Sequence, residues 1–215
     1  KGIFTSTSTN AHYLQEKQVS DILSSGLKQL IISMDGITQE VYEKYRIGGQ
    51  LEKVQQGIKL LTSERKKSNQ DFPRIVLQFL VTGQNEHQLP RLKQWAREMQ
   101  VDELQLKSTQ IYNFENGSDL IPSDQGYSRY VPVGNGKWKL KKKMENKCWR
   151  MWQGAVSTWD GKIVPCCFDK DAKYVMGQLG AQSMASIWSS QPYQHFRKQL
   201  LTDRSKIDIC RNCIE

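Results

Sequence analysis

All five cysteines of this 215-residue chain lie towards its C-terminal end, at positions 148, 166, 167, 210 and 213, and none precedes Cys148. A chain divided in this way has to solve two folding problems. Its front must bury a core by patterning alone, and its tail can be fastened by sulfur. The first ten residues lack the basic start, apolar centre and small-residue cleavage site of a secretory signal. In a reducing compartment closely spaced thiols serve more often as metal ligands than as disulfide partners, so a cytoplasmic location and ligation are the expectation. No apolar stretch approaches the ~20 residues needed to cross a bilayer. The chain starts at Lys1 with strand-like residues from Gly2 onward, which suggests a start inside a longer protein.

From Lys1 to about Ser108 the pattern alternates between strand and helix. Ile3 to Thr9 is a β-branched run, and Leu14, Val19, Ile22, Leu23 and Leu27 follow at helical spacing with Gly26 as the stop. Leu30-Ile31-Ile32 reads as a buried strand that empties into the polar corner Ser33-Met34-Asp35-Gly36. Thr38 is placed to cap a short helix through Tyr45, and Leu51, Val54, Ile58 and Leu61 share one face of a longer one. A strand at Arg74 to Val81, a helix burying Leu89, Leu92, Trp95, Ala96 and Met99, and a strand at Glu103 to Lys107 complete the series. Strands joined by crossover helices run parallel. The fold class is therefore α/β, an open sheet or partial (β/α) barrel, in which ligands gather at the carboxyl ends of the strands. Asn10, Ser33, Asp35, Gln78, Thr82 and Lys107 are the cleft candidates. Between Thr109 and Lys147 the periodicity fails among Gly, Pro and Asn, so the expected organisation is a barrel part at 1–110, a linker at 111–147 and a cysteine module at 148–215.

In that module a turn at Asp160-Gly161 is expected to fold Cys148 and Cys166 towards one another, and Cys210-x-x-Cys213 has the spacing at which one tight turn supplies two thiolates. Zinc and an iron-sulfur cluster both accept four sulfurs, and spacing does not separate them. Cys167 follows Cys166 directly, so both reach one site only with a local distortion, and packing is its expected role. His12, His87 and His195 have no ligand spacing. Trp149, Trp152, Trp159 and Trp188 are expected to form an apolar shell around the cysteines.

Cys148, twelve residues, Gly161, four residues, Cys166, then Gly177-Gln178-Leu179, Ser183, Ile187-Trp188, Phe196-Arg197 and Cys210-x-x-Cys213 together resemble the SPASM domain, the C-terminal extension of many radical S-adenosylmethionine (radical SAM) enzymes. Ser8-Thr9-Asn10, Ser33-Met34-Asp35-Gly36, Tyr45-Arg46, Gly48-Gly49 and Gln84-Asn85-Glu86 resemble the middle strands of the radical SAM partial barrel, with Ala11 where many relatives have Gly. The resemblance implies an auxiliary 4Fe-4S cluster held by Cys148, Cys166, Cys210 and Cys213. It also implies S-adenosylmethionine bound in the intact enzyme with help from Asn10, Ser33, Asp35, Arg46, Gln78 and Lys107. The CxxxCxxC motif that binds the family's catalytic cluster does not occur in these 215 residues. The expectation is the C-terminal portion of such an enzyme, truncated at its first barrel strands, with an unpaired sheet edge.

The implied chemistry is hydrogen abstraction from an unidentified substrate, with peptide or protein modification common among relatives and a flavodoxin- or ferredoxin-type reductant feeding the intact enzyme. Lys plus Arg exceeds Asp plus Glu by 31 − 22 = 9 charges, and Lys137 to Lys147 is strongly basic. The ordinary reading of that run is a solvated connection. The competing readings are a four-cysteine zinc module with a basic nucleic-acid-binding arm and a cluster-bearing electron-transfer or scaffold protein.

Overall fold

The β-branched and apolar runs of the front half form four strands, Ser6–Thr9 (β1), Gln29–Met34 (β2), Arg74–Val81 (β3) and Glu103–Ser108 (β4), in a parallel sheet of order β1-β2-β3-β4. Helices Glu16–Ser24 (α1), Gln39–Tyr45 (α2), Leu51–Lys67 (α3) and Leu89–Glu98 (α4) make the crossovers. This is a computed structural model, and it describes residues 2–213. Lys1, Ile214 and Glu215, at the outer ends of the expected domains, lie outside the described residues. The chain forms two compact units that divide between Lys139 and Leu140.

The period-2 alternation of the strands separates two faces. Leu30, Ile32 and Met34 of β2 and Ile75, Leu77, Phe79 and Val81 of β3 are buried in the core with Leu51, Val54, Ile58 and Leu61 of α3 and Leu92, Trp95 and Ala96 of α4. Each fully buried aliphatic side chain contributes roughly 1.5–3 kcal/mol of transfer free energy, so the helical layer is held by its apolar stripes. The other face carries Ser33, Gln78 and Gln105 in one register row, with Lys107 opposite Leu80 in the next. β1 is an edge strand, and Ser6, Thr7 and Ser8 on it are exposed.

Thr38 occupies the N-cap of α2, but its hydroxyl accepts from Gln88 Nε2 at 2.9 Å instead of capping a helix N–H. Gln88 Oε1 accepts in turn from Ile37 N at 2.8 Å, which clasps the strand-to-helix corner. At the opposite ends of the strands Asp102 takes a fork from Arg65 (2.5 and 2.9 Å) and the Ile75 N–H (2.6 Å). Burial would raise the Asp102 carboxyl, but Arg65, the Ile75 N–H and Arg74 outweigh it and hold the group below its ordinary value.

The stretch read as a loop-like connection is folded. Glu86 accepts from Ser123 N, Ser123 Oγ and Asp124 N, Gly83 N donates to Leu120 O, and Phe114 stacks on Tyr130 at 4.7 Å. It then forms a hairpin of Tyr130–Gly134 (β5) and Lys137–Leu140 (β6). Sequence periodicity missed this because the segment is tied by carboxylate-to-backbone bonds, which leave no apolar repeat.

The second unit has three short antiparallel strands, Val156–Ser157 (β7), Lys162–Val164 (β8) and Gly177–Gln178 (β9), followed by helices Met184–Trp188 (α5) and Gln191–Asp203 (α6). Gly161 turns the expected hairpin at φ +82°. Tyr193, Phe196 and Leu200 of α6 pack with Met151, Ile163, Met176, Ile187 and Ile207. Among the described residues no helix is long and apolar enough to cross a membrane.

Two stability outcomes are expected. A Cβ at Gly36 would stand 2.5 Å from Tyr42 N and 2.6 Å from Tyr42 Cα, both backbone atoms of α2. Gly36→Ala should therefore cost about 1–3 kcal/mol by urea denaturation, whereas Gly154→Ala, with open space around it, should change little. Because the Asp102 pKa is lowered on folding, its contribution is present above the unfolded value and lost as pH falls through the folded one. Asp102→Asn should lower the denaturation midpoint at pH 7 and flatten its decline between pH 5 and pH 3; an unchanged acid slope would contradict this.

Candidate metal centre and strand-end site

Three separated segments bring the cysteines together, and each does so on a turn. Cys148 O accepts from Met151 N (3.3 Å), Cys166 O from Asp169 N (3.1 Å) and Cys210 O from Cys213 N (3.0 Å). The first turn leads into the short 3-10 segment Trp149–Trp152, the second follows β8, and the third begins where 3-10 segment Asp208–Cys210 ends. Asp169, itself buried, holds the second turn by accepting from Lys173 N and Tyr174 N, both at 2.8 Å. The hairpin through Gly161 and the closing turn at Cys210-Arg211-Asn212-Cys213 thus carry out what the sequence spacing suggested.

All five cysteines line one cavity, together with Arg150, Met151, Phe168, Phe196, Leu200 and Arg204. Cys210 and Cys213 are buried, Cys148 and Cys166 half-buried, and every one is a free thiol. Burial pushes the Cys210 thiol up to about 11, partly offset by the charge and hydrogen bond of Arg204. Burial likewise raises Cys166, against the opposing pull of the Phe168 and Asp169 backbone N–H groups. Cys166 also feels Cys167 and then Cys148, and Cys210 feels Cys166 and Cys213, so the cysteines influence one another across the cavity. Raised in this way, Cys166 and Cys210 hold their protons more firmly than free thiols, and ligation must displace those protons. No three His, Cys, Asp or Glu side chains among the described residues converge tightly enough for a single metal ion. The donor set is nevertheless suited to a thiolate-bound cluster: four sulfurs, backbone N–H donors, an apolar wall and a buried guanidinium.

Two expectations about this module need correction. Cys167 does not pack; it is exposed, because the turn at Cys166 directs the preceding sulfur inward and leaves its neighbour at the rim. The tryptophans do not form a shell. Trp149 is 73% and Trp159 99% exposed, Trp152 is also exposed, and only Trp188 joins the core, held by Arg197 at 4.3 Å from its ring. Trp159 rides the tip of the hairpin, where nothing covers a side chain.

In the first unit the strand ends carry the other candidates. Asp35 is 2% exposed, and its carboxylate accepts from Arg46 Nε at 2.5 Å and Leu80 N at 3.2 Å. Burial raises its pKa despite the opposing charge and hydrogen bond of Arg46. Asn85, buried and outside the sequence-based set, donates to Asp35 O (2.9 Å) and Leu80 O (2.8 Å) while its Oδ1 accepts from Thr82 N (2.8 Å). Asp35, Arg46 and Asn85 thus lock the ends of β2 and β3 together. Ser33 and Gln78 share a row with Gln105, whose amide oxygen lies 3.5 Å from Gln78 Nε2; Gln105 was missed, and only strand register could have found it. Lys107 is exposed on the same face two residues on. Asn10 is exposed beyond β1, its Oδ1 accepting from His12 N. A separate open groove between α1 and α3, lined by Glu16, Val19, Leu23, Leu60 and Glu64, contains none of these residues.

The class so defined is a parallel α/β sheet with a polar strand-end face, followed by a small module built around four cysteines. Residues 148–214 match the family model of SPASM, an iron-sulfur cluster-binding domain, so the module is a SPASM domain. The chain is 25% identical over 99% of its length to a tungsten-containing aldehyde ferredoxin oxidoreductase cofactor-modifying protein of Pyrococcus furiosus, of which it covers 66%. A stretch of 60 residues is 42% identical to an S-adenosyl-L-methionine-dependent 2-deoxy-scyllo-inosamine dehydrogenase of Niallia circulans, covering 27% of this chain and 24% of that protein. In fold it is similar to Streptococcus suis SuiB (TM-score 0.60, 13% identity, 91% of this chain and 51% of that one). It is also similar to anSMEcpe with bound AdoMet (TM-score 0.64, 16% identity, 93% and 57%). The chain therefore spans about half to two thirds of the relatives that it matches along its length. The domain match is confined to the second unit, and the likeness to the solved structures is one of fold.

The exposure of the thiols predicts their order of reaction. In metal-free protein at pH 8, iodoacetamide should alkylate Cys167 first and Cys210 and Cys213 last, read by peptide mass mapping. Equal labelling of all five would contradict the burial of the CxxC pair.

Proposed function

We propose that this chain is the C-terminal portion of a radical SAM enzyme, in which Cys148, Cys166, Cys210 and Cys213 hold an auxiliary 4Fe-4S cluster. The observation that carries the reading is the cavity shared by the cysteines, Cys148, Cys166, Cys210 and Cys213 together with the exposed Cys167, inside the segment matched to an iron-sulfur domain. The match of this segment to an iron-sulfur domain favours a multi-iron core over one zinc ion. When bound, such a cluster supplies one-electron chemistry or a ligand site for substrate. The chain's own part is to exclude water with Met151, Phe168, Phe196 and Leu200, and to point backbone N–H groups at Cys166.

For the first unit the same reading assigns part of an S-adenosylmethionine site to the polar strand-end face. Ser33 and Gln78 offer a hydroxyl and an amide along one row, Lys107 a cation for a carboxylate, and Asn10 an amide at the end of β1. Arg46 contributes its guanidinium, and Asp35 acts by holding Arg46 in place. AdoMet is bound in the similar anSMEcpe structure, and a related structure of that protein also holds a peptide. The Pyrococcus furiosus relative is described as cofactor-modifying. A peptide, protein or small-molecule cofactor as substrate, and a flavodoxin- or ferredoxin-type reductant, belong to this proposal.

Anaerobic reconstitution of the chain with iron and sulfide tests the centre. About four iron and four sulfide per chain with broad brown absorption are expected. Cys148→Ala, Cys166→Ala, Cys210→Ala and Cys213→Ala should each lose most of that loading, and Cys167→Ala should keep it. One tightly held zinc with no sulfide would replace this reading with the zinc module.

A further inference from the structure

Arg204 is 2% exposed, among the largest fully buried side chains of the molecule, and it lies on the wall of the cysteine cavity. Its surroundings are specific. Nη1 donates to Lys147 O at 2.8 Å and Glu145 O at 3.4 Å, the carbonyls just upstream of Cys148. Its backbone N–H donates to Asn146 Oδ1 at 3.0 Å, and Asn146 Nδ2 donates to Thr202 O at 2.8 Å. The guanidinium lines the same cavity as Cys210, and its charge works against the rise that burial imposes on that thiol. One side chain therefore reaches both the Cys148 segment and the Cys210 segment. A guanidinium stays charged under all ordinary conditions, and burying it is costly unless charge or hydrogen bonds compensate.

We propose that Arg204 is a positioning residue that acts as the built-in counter-charge of the cluster, raising its reduction potential by stabilising the reduced, more negative form. The inference rests on the cluster reading above. Four thiolates around a 4Fe-4S core make an anion, and each added electron increases that charge in a site with little water to screen it. A fixed cation on the wall of the cavity that the ligand sulfurs line favours the state with the extra electron. Arg150 lines the same cavity but is exposed, so solvent screens its charge, and it serves as the internal control.

The test is a one-electron titration of the reconstituted full chain with dithionite. The reductant gives one electron to the cluster and no bond is made or broken; the reduced fraction is read by the loss of visible absorption and by electron paramagnetic resonance. Iron and sulfide are counted for every sample. Arg204→Gln should carry the cluster but hold about ten-fold less of it reduced at a given potential, a displacement of about 59 mV towards more negative values for one electron. Arg204→Lys should stay close to the parent, and Arg150→Gln should shift far less than Arg204→Gln. If Arg204→Gln fails to retain the cluster while Arg204→Lys keeps it, the positive charge is required and the proposal stands.

Three results would overturn it: a fully loaded Arg204→Gln protein with the parent's potential, equal shifts in Arg204→Gln and Arg150→Gln, or loss of the cluster from both Arg204 variants, which would make the fork purely structural. A parent chain that takes up no iron and sulfide fails at the loading step. That outcome removes the cluster reading itself, and this inference with it.

Discussion

The second unit depends on bringing three cysteine-bearing turns together around one apolar-walled cavity. β7, β8 and β9 are two or three residues long and α5 only five, so the sheet and the short helix supply few of the contacts that fix larger folds. The apolar cluster under α6 is real but small, and a domain of this size ordinarily needs a further staple. On the proposed reading, that staple is the set of cysteine ligands. The cysteine turns are closed by backbone bonds, Asp169 braces the second, and Arg204 ties the approach to Cys148 to the exit from α6. Thiols raised by burial oppose ligation through the protons they must release, yet the same burial keeps water from the metal once it is held. Folding and cofactor binding are two views of one equilibrium.

In the first unit the corresponding constraint is strand register. Parallel pairing places Ser33, Gln78 and Gln105 side by side, and a shift of one residue would exchange this polar row for the apolar one that α3 and α4 need. The Asp35–Arg46 pair is poorly explained as a source of stability, since Asp35 is buried deeply enough for desolvation to exceed the attraction of its partner. Its geometric effect is clearer. With the Leu80 N–H and Asn85 it fixes two strand ends and the loop beyond them, so that the polar row of Ser33 and Gln78 stands on a rigid platform.

Helix faces, the parallel topology, the Gly161 turn and the closing turn at Cys210-x-x-Cys213 were legible in the sequence because each has a repeat or a spacing that favours one local geometry. Gln105 was not legible, since a polar residue in an edge strand has meaning only once register pairs it with Gln78. The folded stretch around Glu86, Ser123 and Asp124 was hidden for a related reason: one carboxylate organises it from 37 residues away, leaving no periodic trace. The tryptophans misled because proximity in sequence to the cysteines was taken as proximity in space. A hairpin tip such as Trp159 is next to the ligand segments along the chain and remote from any covering atoms.

Ala11 shows how a departure from a family pattern can leave the geometry intact. It adopts φ +61°, the left-handed region that Gly enters freely and an L-residue enters at a cost of roughly 1–2 kcal/mol. Its side chain is wholly buried, and a buried methyl returns roughly 0.8 kcal/mol. The burial offsets part of the cost, and the loop is further held by Ala11 N donating to Thr9 Oγ1 at 3.0 Å. The close approach of α3 adds to this, because a Cβ at Gly57 would meet Leu14 Cβ at 2.8 Å and Ala11 O at 3.1 Å. The small residue that matters most for this corner is therefore Gly57, on the helix opposite. Asn10 keeps its place beyond β1 because the helix packs down onto the turn after it, whichever small residue stands at position 11.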